Sequence, residues 1–463
     1  MIRLFEGDSL DILRATPEGT YTFVVTDPPY GLSAPPDPLE VMRQWLADGD
    51  YHKKTRGKGK GFMGAEWDHF VPGPVLWREV FRTCKPGAIV LCFAATRTMD
   101  WMSLSLRCAG FEILDVLAWM QAQGMAKAGT IDKKIDARNG DEREVLSEHF
   151  TGWQGTMGGK SALHGLGDAP DVRRVTAPAS AESAEWAGWS TQLAPGYEPI
   201  IVARRPCEGT ATANVLRHGC GAMNIDACRI APVQGDDYGR SAGGGDGLVH
   251  AGIWTHGDRP KFEQKTHDAG RWPKNVLLDP SAAAVLDLQV GERKSGSRKA
   301  GVREGMGYQG ADGDGGPAIE ASTGGASRFF WVGPLATAND LALPGRYVPK
   351  VRTSERHAGL PEGMKSTHPT VKPQGLMEYL CRLVGHPKGR GLDPFAGSGS
   401  TLRAARTLGL SMDGIERDPA FAEIARHRSG VHSDASMHLE VGPVAEPEVF
   451  EWDSALEREP CFF

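Results

Sequence analysis

A glycine-rich turn near the C-terminal end limits the folds available to this chain of 463 residues. Residues Gly391 to Thr401 read Gly-Leu-Asp-Pro-Phe-Ala-Gly-Ser-Gly-Ser-Thr, and the apolar run after them, Leu402 to Leu410, has helical spacing. A turn of this kind joins a buried strand to a helix. Elsewhere apolar strands alternate with amphipathic helices, which predicts a mostly parallel sheet covered on both faces.

The same turn predicts a ligand site. Bare backbone N–H groups and a helix N-terminus suit a polar or anionic ligand. The turn lacks the Gly-Lys-Ser/Thr of a phosphate loop, which disfavours a nucleoside triphosphate. A second strand ends near Glu416, where a carboxylate is well placed for ribose hydroxyls. On this motif alone NAD fits as well as other adenosine-containing cofactors.

A stiff turn carrying an acid and an aromatic ring follows the apolar strand Tyr21–Thr26. Its residues are Asp27, Pro28, Pro29 and Tyr30. The prolines hold the backbone rigid and leave the carbonyls before and between them free to accept hydrogen bonds. An acid on one side and a flat ring on the other suit a planar group that carries an amine. The alternative is a β-turn with an incidental Asp and Tyr.

Together the two motifs resemble those of the S-adenosylmethionine-dependent amino-methyltransferases of DNA. In that family Asp-Pro-Pro-Tyr holds the target base, and Asp-Pro-Phe-Ala-Gly-Ser-Gly holds the cofactor. Here the catalytic motif comes first, as in the circularly permuted β class, and the resemblance runs from about residue 1 to 428. It implies an α/β, Rossmann-like fold with a mostly parallel seven-stranded sheet, one antiparallel strand and a large inserted target-recognition region.

The resemblance also assigns roles to residues. The catalytic residues are Asp27, Pro28, Pro29 and Tyr30. The cofactor-binding residues are Asp8, Asp27, Thr370, Lys372, Asp393, Pro394, Phe395, Ala396, Gly397, Ser398, Gly399, Thr401 and Glu416. Asp8 matches an acid near the cofactor adenine, and Lys372, in a His-Pro-Thr-x-Lys-Pro motif, is predicted to meet the methionine carboxylate. Helix capping by Asp8 and by Thr370 is the structural alternative.

The reaction implied is methyl transfer from S-adenosylmethionine to the N6 amine of a flipped-out adenine in double-stranded DNA. Family members that act on cytosine N4 more often have Ser where Asp27 stands, but the motif does not divide them strictly, so cytosine stays open. RNA or protein-amide enzymes share a similar clamp that usually begins with Asn. A silent DNA-binding relative would have lost clamp residues, and a dehydrogenase would need NAD and has no use for this clamp.

The chain order predicts four regions. Residues 1–205 form the catalytic half, with a mobile loop at 31–70 and an insertion at 120–196 that shows little periodicity. Residues 206–330 form the target-recognition region, and 331–430 form the cofactor-binding half. Residues 431–463 are an acidic, flexible tail. Ile200 to Ala203 is predicted to be the antiparallel strand, beside Ile113 to Trp119.

The distribution of charge predicts where DNA binds. The net charge of −6 is concentrated in the tail, which carries −7 from residue 434 onward and leaves +1 for the rest. Phosphate binding needs only local positive charge. The predicted DNA contacts are Lys53, Lys54, Arg56, Lys58, Lys60 and Lys127. A solvated basic loop is the alternative for the first five.

Composition excludes several classes of protein. The sequence has no long apolar run and no leader, so we expect neither a membrane protein nor a secreted one, but a cytoplasmic enzyme of a bacterium or phage. The 8 cysteines form no C-x-x-C pair and have no His at ligand spacing, so we expect reduced thiols and no metal. The resemblance suggests two partners, a second copy of the chain in a homodimer and a separate restriction nuclease. The sequence contains no motif that decides either one.

Overall fold

The computed structural model describes residues 1–32, 36–47, 49–51, 70–122, 129–150, 172–230, 270–294, 323–333, 351, 353–368 and 370–431. Its strands are β1 Ile2–Glu6, β2 Tyr21–Thr26, β3 Cys84–Phe93, β4 Glu112–Met120, β5 Val145–Phe150, β6 Val172–Thr176, β7 Tyr197–Arg204, β8 Val276–Leu278, β9 Arg293–Lys294, β10 Thr323–Gly324, β11 Trp331–Val332, β12 Arg390–Asp393 and β13 Ser411–Glu416. Its helices are α1 Ser9–Ala15, α2 Pro38–Ala47, α3 Pro74–Thr83, α4 Met99–Cys108, α5 Ile131–Asn139, α6 Ala181–Glu185, α7 Ala211–His218, α8 Pro280–Val290, α9 Thr353–His357, α10 Gln374–Val384, α11 Ser400–Thr407 and α12 Pro419–Ser429.

One mixed sheet organises the described chain, in the order β1-β13-β12-β2-β3-β7-β4-β8-β11. Strand β7 runs antiparallel to both of its neighbours, and the other pairings in this sheet are parallel. The mostly parallel sheet with one antiparallel strand is therefore confirmed. The predicted number of seven strands is too low, because β8 and β11 extend the edge beyond β4. These segments of three and two residues are too short to show a hydrophobic period.

Two hydrophobic clusters cover the two faces of the sheet. Side chains alternate along β2, so Phe23 and Val25 join one cluster while Val24 joins the other. Residues of α10, α11 and α12 complete the first cluster, and residues of α1, α3 and α4 complete the second. The order of the strands places the two sequence motifs at adjacent strand ends, because β2 and β12 pair directly.

The insertion between β4 and β7 contains more regular structure than its sequence suggested. It includes α5, the antiparallel hairpin β5–β6 and the short α6. Arg143 joins these pieces, since its guanidinium donates to Asp132 and Asp136 on α5 and to Thr176 at the end of β6. The polar composition hid these elements, because their packing depends on ion pairs more than on an apolar stripe.

Within the described part of the chain, none of the helices has the length and apolar character needed to cross a membrane. The same residues contain no cluster of three or more His, Cys, Asp or Glu side chains that could hold a metal ion. The seven described cysteines are all free thiols.

Candidate active site

The two sequence motifs meet at the ends of neighbouring parallel strands. Gly391 pairs with Phe23 and Leu392 with Val24, so β12 and β2 end at the same edge of the sheet. The hydroxyl of Thr26 donates to Oδ1 of Asp393 at 2.8 Å across this edge. Gly391 permits the close approach, since a Cβ there would lie 2.4 Å from the Phe23 ring. Carboxyl ends of parallel strands are where open α/β sheets bind ligands.

The Asp27 turn is held by hydrogen bonds as well as by its prolines. The Tyr30 hydroxyl donates to Oδ1 of Asp27 at 2.6 Å, which closes the turn. The Tyr30 carbonyl accepts from the hydroxyl of Thr98 at 2.6 Å and so is anchored just before α4. Burial, followed by the nearby carboxylates of Asp27 and Glu198, raises the pKa of the Tyr30 phenol well above its usual value. The phenol therefore stays protonated and acts as a donor.

Lys372 lies against the Asp27 turn. Its ammonium donates to Oδ2 of Asp27 at 2.5 Å and to the Tyr30 hydroxyl at 3.0 Å. The sequence had predicted the methionine carboxylate of the cofactor as its partner; the structure places a protein carboxylate there. The side chain of Lys372 is only 9% exposed, so its charge needs these partners.

Glu198 is a second carboxylate at this point, and sequence reasoning did not single it out. Its Oε2 lies 3.4 Å from the Tyr30 hydroxyl and 3.8 Å from Nζ of Lys372. Its Oε1 accepts from the amide of Gln121 at 3.3 Å. Glu198 is the second residue of the antiparallel strand β7, whose first residues fall at the edge where the parallel strands end. The available signal was its position just before the predicted strand Ile200 to Ala203, since an acid before an antiparallel strand falls at that edge.

The charges in this cluster support each other. Burial by itself lowers the pKa of Lys372, but the attraction of Asp27 and Glu198 outweighs burial, and the net pKa of Lys372 is raised. Lys372 is thus a cation near neutral pH and is shared by two carboxylates. The cation also lies over two aromatic rings, 5.3 Å from the Tyr30 centroid and 4.8 Å from that of Phe93.

The glycine-rich turn differs in one respect from the prediction, which expected bare N–H groups. The N–H groups of Phe395, Ala396 and Gly397 already donate to Asp393, to the Ile415 carbonyl and to Glu416, respectively. Glu416 accepts the Gly397 N–H at 2.8 Å through Oε2 and the Asp418 N–H at 2.8 Å through Oε1. These bonds fix the carboxylate at the end of β13, and burial raises its pKa.

Close packing against α12 fixes the second half of the turn. Gly399 has φ of +76°, and a Cβ there would lie 2.9 Å from Cα of Ala425. Arg428 reaches back from α12 and donates to the carbonyl and hydroxyl of Ser398 at 2.8 and 2.7 Å. Burial lowers the pKa of Arg428 to about 10, which leaves it charged at neutral pH.

The carboxyl of Asp393 has a raised pKa. Burial raises its pKa to about 6, although hydrogen bonds from the hydroxyls of Thr401 and Thr26 and from the Phe395 N–H act in the opposite direction. Asp393 therefore ties β2 to the glycine-rich turn and to the start of α11. In the described structure its contacts with Thr26, Phe395 and Thr401 are structural ones.

The His-Pro-Thr-x-Lys-Pro segment also packs on the turn. A Cβ at Gly397 would lie 2.8 Å from Nε2 of His368, so the ring covers the turn closely. His368 stacks edge-on against Phe421, and its Nδ1 accepts the Thr370 N–H at 3.3 Å. Burial, together with Lys372 and Arg428, lowers the pKa of His368 to about 4, so the ring is neutral. Thr370 itself is exposed, and the proposed cap is wrong because Pro373 is the N-cap of α10.

Asp8 caps α1, as one of its two suggested roles requires. Its carboxylate accepts the Leu10 N–H at 2.9 Å. The neighbouring Ser9 hydroxyl donates to the Pro394 carbonyl at 2.6 Å, which places the start of α1 beside the glycine-rich turn. A role for Asp8 toward a cofactor adenine stays a prediction. The predicted DNA contacts Lys53, Lys54, Arg56, Lys58, Lys60 and Lys127 lie outside the described residues.

The residues around the turn suit an adenosine-containing cofactor. Glu416 keeps acceptor capacity, because a carboxylate offers about four lone-pair sites and the two N–H bonds use only part of them. Gly391, Gly397 and Gly399 let the turn pack closely against its neighbours, since a Cβ at each would collide with a protein group. Phe395 is partly buried, and its ring lies 6.5 Å from that of Trp77. The fit rests on this acceptor and this shape.

Comparison with known proteins supports the motif reading. A family model for N6/N4 DNA methylases matches residues 252–427, which include Lys372, the glycine-rich turn and Glu416. The predicted resemblance to DNA amino-methyltransferases is confirmed over this segment. The type II methyltransferase M.HindIII of Haemophilus influenzae is 40% identical over 70 residues, or 15% of this chain and 23% of that protein. M.HinfI of the same species is 36% identical over 64 residues, or 14% of this chain and 18% of that protein.

Among solved structures, M1.HpyAVI in complex with SAM aligns over 92% of this chain and 98% of that one, at 12% identity and a TM-score of 0.34. The cytosine-N4-specific PvuII DNA methyltransferase aligns over 92% of this chain and 86% of that one, at 11% identity and a TM-score of 0.38. The alignments with M.HindIII and M.HinfI cover less than a quarter of the length of each of those proteins.

Proposed function

We propose that this protein transfers a methyl group from S-adenosylmethionine to the N6 amine of an adenine in double-stranded DNA, at a specific site. The observation that carries the proposal is the junction of the Asp27 turn with the glycine-rich turn through the Thr26–Asp393 hydrogen bond of 2.8 Å. An acceptor for an amine and an acceptor for a ribose thereby share one edge of the sheet. The methylase match over residues 252–427 supports methylation of DNA at an amine, N6 or N4.

Asp27 is the residue that acts on the amine. An exocyclic amine is a weak nucleophile, because its lone pair is delocalised into the ring of the base. A carboxylate that accepts its N–H bonds draws the nitrogen toward tetrahedral geometry, frees the lone pair and stabilises the positive charge that develops. The Pro28 carbonyl is the second acceptor in this proposal.

The cofactor supplies the methyl group: a C–N bond forms as the C–S bond breaks, sulfur keeps the electron pair, and one amine proton is released. In this proposal Asp27 takes the proton and passes it to solvent. The target base cannot reach Asp27 inside a duplex, so it must leave the stack, and the flat ring of Tyr30 offers it a stacking surface. In this proposal the enzyme methylates DNA in the cytoplasm of a bacterium or of a phage-infected cell.

The test is transfer of labelled methyl from S-adenosylmethionine to unmethylated bacterial DNA, with the product nucleosides separated. The proposal predicts label in N6-methyladenine. Label in N4-methylcytosine would leave the clamp mechanism standing and would make cytosine, not adenine, the target base. The carboxylate at Asp27 favours adenine, although the family motif does not divide the two strictly.

A matched RNA sample and a matched protein sample serve as controls for the substrate class. Label in either of these samples, with none in DNA, would contradict the proposal. NAD titrated against the protein tests the competing dehydrogenase, and we expect no binding.

A further inference from the structure

Both carboxylate oxygens of the proposed catalytic acid are engaged within the protein itself. Oδ1 of Asp27 accepts from the Tyr30 hydroxyl, and Oδ2 accepts from the Lys372 ammonium at 2.5 Å. A target amine would have to bind one of these same oxygens, beside the tyrosine hydroxyl or the lysine ammonium. The free protein therefore holds an amine of its own, that of Lys372, at the acceptor proposed for the amine of the base.

The two nitrogens resemble each other in the chemistry that matters here. An ammonium donates N–H bonds from a tetrahedral, positively charged nitrogen, and the amine of the base approaches that state as it is methylated. A site that stabilises one must stabilise the other. Lys372 thus occupies Asp27 in the manner of the reacting group.

The ammonium cannot simply stay while the base reacts. Positive charge develops on the attacking nitrogen, and a buried cation on the same carboxylate would repel it. The side chain of Lys372 is only 9% exposed, so moving its ammonium into solvent would need a large displacement. A buried charge needs another partner within reach.

Glu198 is that partner. Its Oε2 lies 3.8 Å from Nζ of Lys372, so a small rotation of the lysine end would bring the two into full contact. Glu198 is itself held from the other side, where Gln121 donates to Oε1 at 3.3 Å. The antiparallel direction of β7 puts this carboxylate at the same edge as Asp27.

We propose that in the free enzyme the Lys372 ammonium occupies the position at Asp27 that the target amine needs. When the target amine enters, the ammonium shifts to Glu198, a step that we call the handover. Glu198 is then a positioning residue that acts through Lys372. The inference rests on the proposed function, because it concerns the same amine site. The raised pKa of Lys372 agrees with a cation that both carboxylates hold.

The test is a double-mutant comparison of methyl transfer to bacterial DNA at saturating cofactor and DNA. The enzymes are wild type, Glu198→Gln, Lys372→Met, and the variant that carries both changes. Glu112→Gln is the matched control, since Glu112 pairs with Arg204 at the other end of β4. Thermal unfolding and cofactor affinity are measured for each variant.

The handover predicts that Glu198→Gln lowers kcat by roughly tenfold or more without weakening cofactor binding, because Lys372 then has no second carboxylate to hold its charge. Adding Lys372→Met should restore most of this loss, because the stranded ammonium is gone. Glu198→Asp, which keeps the charge but retracts it, should give a kcat between wild type and Glu198→Gln. This variant also provides a reading if Glu198→Gln does not fold.

A double variant no faster than Glu198→Gln would overturn the handover and make Lys372 a fixed tether of Asp27. Glu198→Gln that matches Glu112→Gln would overturn it as well. Wild-type enzyme that methylates no DNA would contradict the proposed function and, with it, this inference. The first two results, with an active wild type, would leave the proposed function standing.

Discussion

At the edge where β2 and β12 end, burial and the neighbouring charges together decide which side chains are charged. Lys372 is charged because Asp27 and Glu198 outweigh its desolvation, while His368, only four residues away, is neutral because nothing anionic offsets its burial. The same short segment therefore provides a cation beside Asp27 and an uncharged ring over the glycine-rich turn.

The position of Lys372 gives a prediction about the cofactor. Because its partners in the structure are Asp27 and Tyr30, Lys372→Met should change the affinity for S-adenosylmethionine by less than about threefold, as measured by calorimetry. A direct contact with the methionine carboxylate would instead cost about tenfold or more. Lys388→Met, at an exposed lysine, is the control. A tenfold loss specific to Lys372→Met would return the lysine to the role predicted from its motif.

The neutral His368 gives a prediction about pH. Its pKa of about 4 lies below the unfolded value of 6.5, so between these values the unfolded chain binds a proton that the folded chain does not. The free energy of unfolding therefore keeps its full value above pH 6.5. It falls by about 3 kcal/mol as the pH is lowered from 6.5 toward 4. His368→Gln should therefore lose less stability than wild type between pH 7 and about 4.5 in urea unfolding. Exposed His427→Gln should follow wild type, and a parallel loss in His368→Gln would argue against the buried neutral ring.

At this scale the sequence identified residue types better than their partners. Asp27, Tyr30 and Lys372 were all selected from motifs, and the structure brings the three together. Glu198 was missed because nothing local marks it. It matters only because β7 is antiparallel and starts at the active edge, which is a property of the sheet.

At the scale of elements, the conformation of the glycine-rich turn is fixed by the close packing of α11 and α12 against it. Gly399 is the N-cap of α11 in a left-handed conformation and lies directly against α12. The order of strand, turn and helix was predictable from the glycine-rich turn and from the apolar run Leu402 to Leu410, whereas β12 itself contains only one large apolar residue. The engaged N–H groups were not, because they depend on the position of Glu416 in the neighbouring strand.

The tight packing predicts a graded response to alanine. Gly399→Ala should lower the free energy of unfolding by about 3 kcal/mol, through its positive φ and its collision with Ala425. Gly409→Ala has φ of +70° but nothing within 4 Å, so it should show only the backbone cost of about 1–2 kcal/mol. Chemical unfolding of both variants gives the difference. Equal losses would mean that the helix moves aside and that the turn is not closely packed.

Short elements were the least predictable. The strands β8 and β11 and the hairpin β5–β6 depend on tertiary pairing and on the ion pairs of Arg143, and neither leaves a periodic trace in the sequence. Longer apolar strands such as β2 and β3 were predictable, because their buried faces demand it. The antiparallel β7 followed from the resemblance and is confirmed.

At the scale of the whole molecule, residues far apart in the sequence form one edge. Thr26 and Asp393 are 367 positions apart, yet their hydrogen bond joins the two motifs. Each motif predicted one half of the site, and the direct pairing of β2 with β12 brings the two halves together. The predicted division into four regions stays a prediction, as do the homodimer, the partner nuclease and the target-recognition role of residues 206–330.

The local charge of the chain predicts a salt effect. Replacing Lys53, Lys54 and Lys58 with Gln should weaken DNA binding and flatten its dependence on salt, by about 0.9 in the logarithmic slope for each lost phosphate contact. Fluorescence anisotropy with duplex DNA at several salt concentrations measures this slope. A triple Lys→Gln change at exposed Lys133, Lys134 and Lys388 is the comparison. An unchanged slope in the first variant would remove the basic segment from the DNA interface.

The most direct test of the whole account is single-turnover methyl transfer to bacterial DNA by Asp27→Asn beside wild type. Asn keeps the shape but loses the negative charge, so we expect the rate to fall by about a hundredfold or more, with cofactor binding retained. Asp11→Asn, at an exposed aspartate on α1, is the matched control and should behave as wild type. Transfer by Asp27→Asn at the wild-type rate would contradict the claim that this carboxylate activates the amine.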